Sequence, residues 1–319
     1  MNCRKAAISA IKKLDKWLDR TGWIGYDPYD IKGVPVFLWL ERNKTNIAVK
    51  GIEMLATALI TLFPLWSRRF FQIRPQLNAK AIALLARAYL KLYKIWMENK
   101  FLEKSYDALN WLIQNNHAPK TNQLGWGYPF DWQSVIFIPK RTPLIVVSAL
   151  GGHALLDAYE ATRESKWLGN AKKVKNFLIN GLNVTMYDDE SISFSYSPLD
   201  NFKVINSNLY SASFLSRFGK LANDSEAIEI SRRIRKFAIR HQREDGAWEY
   251  WADRPSIVDA YHHGIILEWL KISTDYDEPI DGELNAIEKG LKFYKKTLCW
   301  RMEDVNSPQT QSFPLIFTL

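Results

Sequence analysis

A carboxylate and two imidazoles form the densest cluster of chemically capable side chains in the sequence. Asp259, His262 and His263 lie close together in a stretch that is otherwise apolar with helical spacing. Because the histidines follow the aspartate by three and four residues, both share its face of a helix. A carboxylate that holds an imidazole commonly sets up a general base, so Asp259 and His262 are predicted to be catalytic and His263 to contact substrate. A buried polar network at the helix start is the alternative interpretation.

Carboxyl groups also lie beside aromatic linkers elsewhere in the chain. Asp131 and Asp200 each follow a run rich in aromatic residues, and Asp259 opens a helix after another such run. Glycoside hydrolysis requires two carboxyls, about 5 Å apart for retention or about 6.5–9.5 Å apart for inversion. The three aspartates are therefore candidate catalytic acids. Capping of a helix by Asp200, or placement of Asp259 in a first helical turn, would instead make them structural.

Aromatic residues are abundant, with 13 Trp, 14 Tyr and 16 Phe. Large rings are costly to expose, so they either fill a core or line a site. A sugar presents flat C–H faces that stack on rings, and hydroxyls that need short polar groups. The linkers and the start of the helix at 203–220 supply the candidate substrate-binding residues Trp126, Tyr128, Trp132, Asn206, Asn208, Trp248 and Tyr250. Some of these rings are expected to pack in the core instead.

The cysteines and histidines do not form a metal-ligand pattern. Cys3 and Cys299 lie far apart, and the chain has only five histidines without a clear third ligand. Two distant cysteines exclude a disulfide framework and suit a reducing compartment. Residues 1–16 lack the continuous apolar core of a signal peptide. We therefore predict no metal, no cofactor and a cytoplasmic location.

The net charge is +9, from 43 Lys and Arg against 34 Asp and Glu. Because the charges are spread along the chain, a solvated basic surface is the main interpretation, and an acidic saccharide would also suit it. We predict no nucleic-acid partner. The most apolar run, residues 52–66, contains Glu53 and is shorter than the ~20 residues that span a bilayer. It is therefore interpreted as a buried helix, and no stable membrane insertion is expected.

Apolar residues recur at helical spacing along most of the chain. The predicted helices are residues 4–19, 46–63, 77–97, 101–116, 142–162, 167–180, 203–220, 225–241, 256–272 and 283–297. A short strand is indicated at residues 192–196. The pattern predicts an all-α fold.

Gly- or Ser-rich aromatic linkers recur before new helices and indicate a repeat. Phe194 and Trp248 are 54 residues apart, and Trp248 and Trp300 are 52 apart. A period of about 50 residues with two helices is typical of a helical-hairpin array. In a closed array the inner helices would be 46–63, 77–97, 142–162, 203–220 and 256–272. The linkers would then meet at one end and form a pocket.

The chain is predicted to be one domain over residues 1–319, a toroid of about five to six helical hairpins. Residues 307–312 are turn-like where a further inner helix is expected. The sequence leaves open whether the last hairpin is incomplete or another element closes the ring.

Residues Gln242–Trp248 contain the pattern Q-x-x-D-G-x-W, which resembles the QW repeat of terpenoid cyclases. The linkers at 124–132 and 194–200 resemble those of six-hairpin glycosidases. The chain is also similar to helical-toroid proteins encoded with bacterial and archaeal polysaccharide-assembly genes. The resemblance covers residues 75–300 and implies an α/α toroid of polysaccharide metabolism. In the QW family these residues staple helices, so a structural role is the alternative for Gln242 and Trp248.

The resemblance also bears on the reaction. A cyclase is disfavoured because D-x-D-D is absent and Asp188-Asp189 is not followed by the third acid of D-D-x-x-D. Polysaccharide lyases and uronate epimerases of this fold hold the substrate carboxylate with Asn or Arg and remove the C5 proton with Tyr or His. Asn208, Arg254, Tyr196 and His262 fit that scheme.

Three functions follow. The leading hypothesis is a carbohydrate-active enzyme, either a glycoside hydrolase or a uronate lyase or epimerase. The second is a non-catalytic saccharide-binding or polysaccharide-assembly factor. The third is an isoprenoid-type cyclase or transferase. The sequence leaves the oligomeric state open.

Overall fold

A computed structural model describes residues 3–43, 45–188 and 190–298. Within them the chain is helical apart from two small hairpins of strands. The helices are α1 Cys3–Thr21, α2 Pro35–Arg42, α3 Ile47–Leu62, α4 Pro64–Phe70, α5 Ala79–Trp96, α6 Asn99–Gln114, α7 Ile145–Thr162, α8 Ser165–Gly181, α9 Ile205–Ala222, α10 Ser225–Arg240, α11 Ala260–Tyr276 and α12 Glu283–Phe293. A 3-10 turn spans Asp30–Gly33, and a π-helical turn at Tyr294–Leu298 continues α12. The all-α prediction is confirmed.

Two antiparallel strand pairs lie in the linkers. β1 is Trp132–Gln133 and β2 is Phe137–Ile138, with Trp132 opposite Ile138. β3 is Val184–Met186 and β4 is Ile192–Phe194, with Val184 opposite Phe194. The strand predicted at 192–196 is therefore present in its first three residues. The chain divides into two compact units, the first up to Asn183 with Ser197–Asp200, and the second Val184–Tyr196 with Asn201 onward.

Three helical hairpins share one turn geometry. Met97, Arg163 and Asn223 each follow a helix of the pairs α5–α6, α7–α8 and α9–α10, and each adopts a left-handed conformation with φ of 55°, 58° and 53°. Each residue closes its helix by donating its N–H four residues back, which is the usual αL cap. One acidic residue then leads into the next helix. The hairpin array predicted from the linker period is thus built from a repeated two-residue turn.

Each unit has its own helical core. In the first unit α5 packs on α6 and α7, and α7 packs on α8; in the second, α9 packs on α10 and α11. The faces of α7 and α9 are buried almost throughout, as expected for inner helices. In the second unit the fully buried guanidinium of Arg235 on α10 binds Glu283 of α12 at 2.7 Å and also the carboxylate of Asp277.

The prediction that residues 46–63 form a buried inner helix is wrong. The helix exists as α3, but none of its residues is buried. It rests on a small cluster around Ile31, Phe37 and Leu40. The short helices α2 and α4 were not predicted. Among the described residues no single helix is long and apolar enough to cross a membrane, and only α3 and α4 taken together, bent by 113°, have that length and composition.

The remaining predicted helices correspond to observed ones, with ends shifted by a few residues. The largest shift is at 256–272, because α11 begins at Ala260 and Asp259 is its N-cap. The question of the last hairpin falls on residues 307–312, outside the described part of the chain. The prediction of a single domain over 1–319 stays a prediction.

Candidate active site

The N-terminus of α11 carries the aspartate–histidine pair. Asp259 adopts an extended conformation and caps the helix, accepting a hydrogen bond at 2.8 Å on Oδ1 from the backbone N–H of His262. Its second oxygen, Oδ2, lies 2.6 Å from Nδ1 of the same histidine. Aspartate is among the preferred N-cap residues because it satisfies such unpaired N–H groups. One carboxylate therefore starts the helix and also fixes the imidazole.

The charge of Asp259 determines which nitrogen of the His262 ring carries the proton. Burial alone would raise the pKa of Asp259, but hydrogen bonds and charge from His262 outweigh it and hold the pKa below its usual 3.8. The group is therefore a carboxylate, so Nδ1 of the imidazole must carry the proton that it shares. In the neutral imidazole Nε2 then holds a lone pair. The side chains of Asp259 and His262 are 31% and 28% exposed, so a ligand can reach them.

Aromatic rings surround the imidazole of His262. The Tyr250 ring lies 4.8 Å from it and the Tyr261 ring 5.1 Å, both nearly perpendicular. Trp251 packs edge-on against Tyr250 at 5.2 Å, and the guanidinium of Arg254 lies 3.9 Å above the Trp251 ring. The predicted residues Tyr250, Arg254, Asp259 and His262 thus form one continuous surface patch with Trp251 and Tyr261.

The loop after Tyr250 is held in place by its own hydrogen bonds. The Tyr250 N–H donates to Ile257 O at 3.1 Å, and the Trp251 N–H donates to Ser256 Oγ at 2.9 Å. Trp251 also pairs with Val204, just before α9. The loop therefore presents its rings and Arg254 from a fixed backbone.

Trp251 and Tyr261 were missed by the sequence reasoning. Both lie in segments that the sequence analysis identified as aromatic or polar, but neither residue was named as a candidate for the site. The adjacency of Trp251 to the basic Arg254 within a short loop was the available signal.

Asn206 and Tyr196 are the other predicted site residues of this unit. Asn206 lies in the first turn of α9, and its Oδ1 is buried without a hydrogen-bond partner. A buried acceptor of this kind is costly unless a donor such as a hydroxyl meets it. Tyr196 is half-buried, two residues after β4. Their prediction as ligand-binding or catalytic residues stays open.

Asn208 has a structural role instead of binding a substrate carboxylate. Its side chain has no exposed surface. Its Oδ1 accepts from the Phe194 N–H at 2.7 Å, and its Nδ2 donates to the carbonyls of Phe194 and Val204, both at 3.0 Å. All of these bonds join β4 to the start of α9, so no polar atom of the amide is left for a ligand.

Trp248 and Trp126 are also packing residues, and each has at most 2% exposure. The Trp248 indole donates to Ala238 O, and the Trp126 indole donates to Leu112 O, both at 2.8 Å. A Cβ at Gly151 would lie 2.4 Å from the Trp126 ring, so only glycine fits there. Neither ring presents a face for sugar stacking. They staple helices, as the resemblance to the QW family implied for Trp248.

His263 is a core residue, only 1% exposed. Its Nε2 lies 3.0 Å from Gly290 O, and its ring packs 5.2 Å from that of Trp248. Because His263 is buried in the core, it does not contact substrate.

His263 is expected to make the folded chain less stable in acid. Burial lowers the pKa of its imidazole below the usual 6.5, although Gly290 O and two carboxylates oppose this. The unfolded state binds this proton more readily than the folded state. The contribution of His263 to the free energy of unfolding should therefore be fully present above pH 6.5 and lost as pH falls through the folded-state pKa. Urea unfolding of the wild type and of His263→Gln, above and below pH 6.5, measures how the free energy of unfolding changes with pH. An equal loss in both chains would contradict it.

The predicted acids of the first unit are differently placed. Asp200 is only 6% exposed, and its Oδ2 accepts from Ser197 N at 2.8 Å and Ser197 Oγ at 2.5 Å. This carboxylate closes a local turn and is not an open catalytic acid. Asp131 is half-buried, and its Oδ1 accepts from the Lys140 N–H at 2.7 Å.

Half-buried rings lie beside Asp131. Tyr128 stacks on Phe130 at 5.4 Å and meets Trp132 edge-on at 6.1 Å. Tyr128 and Trp132 remain candidates for saccharide stacking. Within the described residues no group of three His, Cys, Asp or Glu side chains could hold a metal ion.

No family model and no curated protein matches the chain. Solved structures do resemble it. A protein from Listeria innocua has a TM-score of 0.55 at 16% identity, over 75% of this chain and 64% of that one. Unsaturated glucuronyl hydrolase from a Bacillus species has a TM-score of 0.52 at 16% identity, over 87% of this chain and 79% of that one. Cellobiose 2-epimerase from Spirochaeta thermophila has a TM-score of 0.53 at 14% identity, over 69% of this chain and 60% of that one.

The chain spans less than two thirds of the length of the Listeria protein and of the epimerase. At these identities the likeness shows the fold alone. The described helices therefore have an all-α fold of helical hairpins similar to the fold of these solved structures.

Proposed function

We propose that this chain is a carbohydrate-active enzyme of the uronate lyase or epimerase type, with His262 as its general base. The observation that carries the proposal is the solvent-accessible Asp259–His262 pair, 2.6 Å apart, within a patch of aromatic rings. A positioned base of this kind suits proton abstraction from carbon or oxygen. The known activities of structural neighbours, which include a glucuronyl hydrolase and an epimerase, support saccharide as the substrate class.

The proposed reaction begins when Nε2 of His262 removes the C5 proton of a uronate. Asp259 stabilises the imidazolium that forms. The electron pair left on C5 is delocalised into the carboxylate, and a cation such as Arg254 lowers the cost of that charge. In a lyase the C4–O bond then breaks, a C4–C5 double bond forms, and the departing oxygen takes up a proton from the His262 imidazolium or from water. In an epimerase C5 takes up a proton from water on the opposite face, and the His262 imidazolium gives its proton to solvent.

A glycoside hydrolase is less well supported by the contacts. That reaction needs two available carboxyls. Asp200 is buried and bonded to Ser197, and the Asp259 carboxylate is engaged by His262. Hydrolysis remains an outcome of the test below.

A non-catalytic saccharide-binding protein is the second candidate. It is favoured by the rings of Tyr128 and Trp132 beside Asp131, a surface suited to stacking that has no paired base of its own. A role in polysaccharide assembly and a cytoplasmic location are further parts of the proposal for either candidate.

The test is incubation of the full chain with oligosaccharides that contain glucuronate, mannuronate or galacturonate. Ultraviolet absorbance of an unsaturated product would establish a lyase, and deuterium uptake at C5 without chain cleavage would establish an epimerase. Reducing ends without unsaturation would point to hydrolysis and overturn the proposed base chemistry. Tight binding without any of the three would establish the non-catalytic alternative.

A further inference from the structure

Helices α3 and α4 expose a concentration of large apolar side chains. Leu55 is 63% exposed, Leu62 69% and Trp66 64%. The exposed set is Ile47, Ile52, Met54, Leu55, Leu59, Leu62, Phe63, Leu65, Trp66 and Phe70. Scattered exposed apolar residues are ordinary, but a contiguous patch of this kind marks an interaction surface.

This patch is not the core-facing side of α3. Val49, Ala56 and Ile60 form that side, and they pack on the small cluster around Phe37. The outer face of α3, comprising Ile52, Leu55, Leu59 and Leu62, is centred about 100° around the helix from that side, and its side chains are exposed. A helix that is apolar on both sides is normally covered on both. Only one side of α3 is covered by the described chain.

The charges around the patch are mostly positive. Residues 42–76 contain a single acid, Glu53, and the cations Arg42, Lys44, Lys50, Arg68, Arg69 and Arg74. Arg68 is buried on Asp30, with 3.0 Å between Nε and Oδ1. Lys50, Arg69 and Arg74 are exposed. Basic residues next to an apolar surface are attracted to anionic headgroups.

The patch also ends in aromatic residues. Trp66 and Phe70 of α4 stack at 5.3 Å, and both are exposed. Phe63 lies at the bend where α4 turns 113° away from α3. Tryptophan and other aromatic rings are favoured at the boundary between hydrocarbon and headgroups.

We propose that α3 and α4 bind the surface of an anionic lipid bilayer, lying in the plane of the headgroups without crossing. The 16 residues of α3 extend about 24 Å, short of the ~30 Å hydrocarbon core. An apolar face with flanking cations and aromatic rings is the pattern of interfacial helices. The inference is independent of the saccharide chemistry proposed above.

A second copy of this chain is a less suitable occupant. A two-fold interface places the same surface of both copies face to face. Lys50, Arg69 and Arg74 would then meet their own equivalents with no acid other than Glu53 in the segment to balance them. Like charges across an interface oppose association. An anionic lipid surface offers the opposite sign.

The test is co-flotation of the full chain with vesicles of phosphatidylcholine alone or mixed with phosphatidylserine. Binding to the mixed vesicles is expected, and Leu55→Glu with Leu59→Glu should lower the partition coefficient by roughly a hundredfold. Arg69→Gln with Arg74→Gln should lower it about tenfold on the mixed vesicles only. Leu284→Glu, an equally exposed leucine on α12, is the matched control and should bind like the wild type.

A fluorescence-quenching measurement tests the same surface without variants that add charge and could fail to fold. With Cys3 and Cys299 replaced by serine, an environment-sensitive probe on Leu62→Cys should be quenched by brominated lipid, and one on Leu284→Cys should not. Circular dichroism verifies that each variant is folded.

Three results would overturn the proposal. The first is vesicle binding that is the same in the Leu55/Leu59 variant. The second is a wild-type dimer that ignores vesicles and becomes a monomer in that variant, which assigns the patch to a second copy. The third is vesicle binding that occurs only after deletion of residues 307–319, which assigns the patch to the chain's own C-terminal segment.

Discussion

Replacement of His262 by glutamine is expected to lower kcat on the responding saccharide by about 10²–10⁴-fold, the usual contribution of a positioned general base. Glutamine preserves a polar side chain of similar reach, but it cannot accept a proton. KM should change less than kcat, because the rings of Tyr250 and Trp251 stay in place. Steady-state kinetics on purified variants measures both constants.

Replacement of Asp259 by asparagine should reduce kcat by a similar factor. Asparagine is as good an N-cap as aspartate, so α11 should still begin at Ala260. Its amide nitrogen, however, would donate to Nδ1 of His262 and shift the ring proton to Nε2. The nitrogen that faces the ligand would then be a donor and no longer a base.

His241→Gln is the matched control for these variants. His241 is also half-buried in the second unit, and its Nδ1 lies 2.7 Å from the Phe237 carbonyl of its own helix. This variant should keep the wild-type kcat. If His262→Gln kept it too, or if both variants lost it equally, the assignment of His262 as the base would be wrong.

Replacement of Arg235 by leucine is expected to destabilise the folded chain by about 3–5 kcal/mol, because it leaves the buried carboxylate of Glu283 without its cation. Asp277 keeps its ion pair with Arg232. The side chain of Arg235 is fully buried, as is that of Glu283, and Asp277 is 6% exposed. Glu283 binds the guanidinium at 2.7 Å. Urea unfolding, followed by helical circular dichroism, measures the change in the free energy of unfolding.

The pH dependence of that loss tests its cause. Burial already raises the pKa of Glu283 above 4.5, and Arg235 is the main influence that lowers it. In Arg235→Leu the folded-state pKa of Glu283 should therefore be higher still. The protonated carboxyl then contributes to the free energy of unfolding below pH 4.5, and this contribution is lost as pH rises through the folded-state pKa. The deficit relative to the wild type should accordingly shrink in acid.

Arg243→Leu is the control for Arg235→Leu. Arg243 also pairs with a carboxylate, that of Asp245 at 2.9 Å, but its side chain is 51% exposed. Exposed pairs contribute little, so a change within about 0.5 kcal/mol is expected. A similarly small loss in Arg235→Leu would show that the buried network does not support the fold.

Helical periodicity predicted the positions of the main helices but not their surroundings. The same apolar repeat that marks α7 as an inner helix also occurs in α3. In α7 it is buried almost throughout, whereas in α3 one side faces solvent. Periodicity records which residues are apolar, and it does not record whether anything is available to cover them. The short helices α2 and α4 were missed because seven or eight residues hold too few turns to establish a period.

The same limit applies to the site. The pairing of Asp259 with His262 was predictable because both lie on one helix, where spacing fixes distance. Asp200 and Asn208 were misassigned because their partners, Ser197 and Phe194, are set by the path of the linker. Short polar side chains can either stabilise a turn by hydrogen bonds or bind a ligand. Only coordinates separate the two uses.

The two-residue turns after α5, α7 and α9 have a consequence for the folding pathway. Joining helix ends across so short a loop costs little closure entropy, and the contacts formed are local in sequence. Each hairpin should accordingly assemble early and on its own. The long connection from Asn115 to Leu144 should order only after its flanking hairpins, as pulsed hydrogen exchange during refolding would reveal.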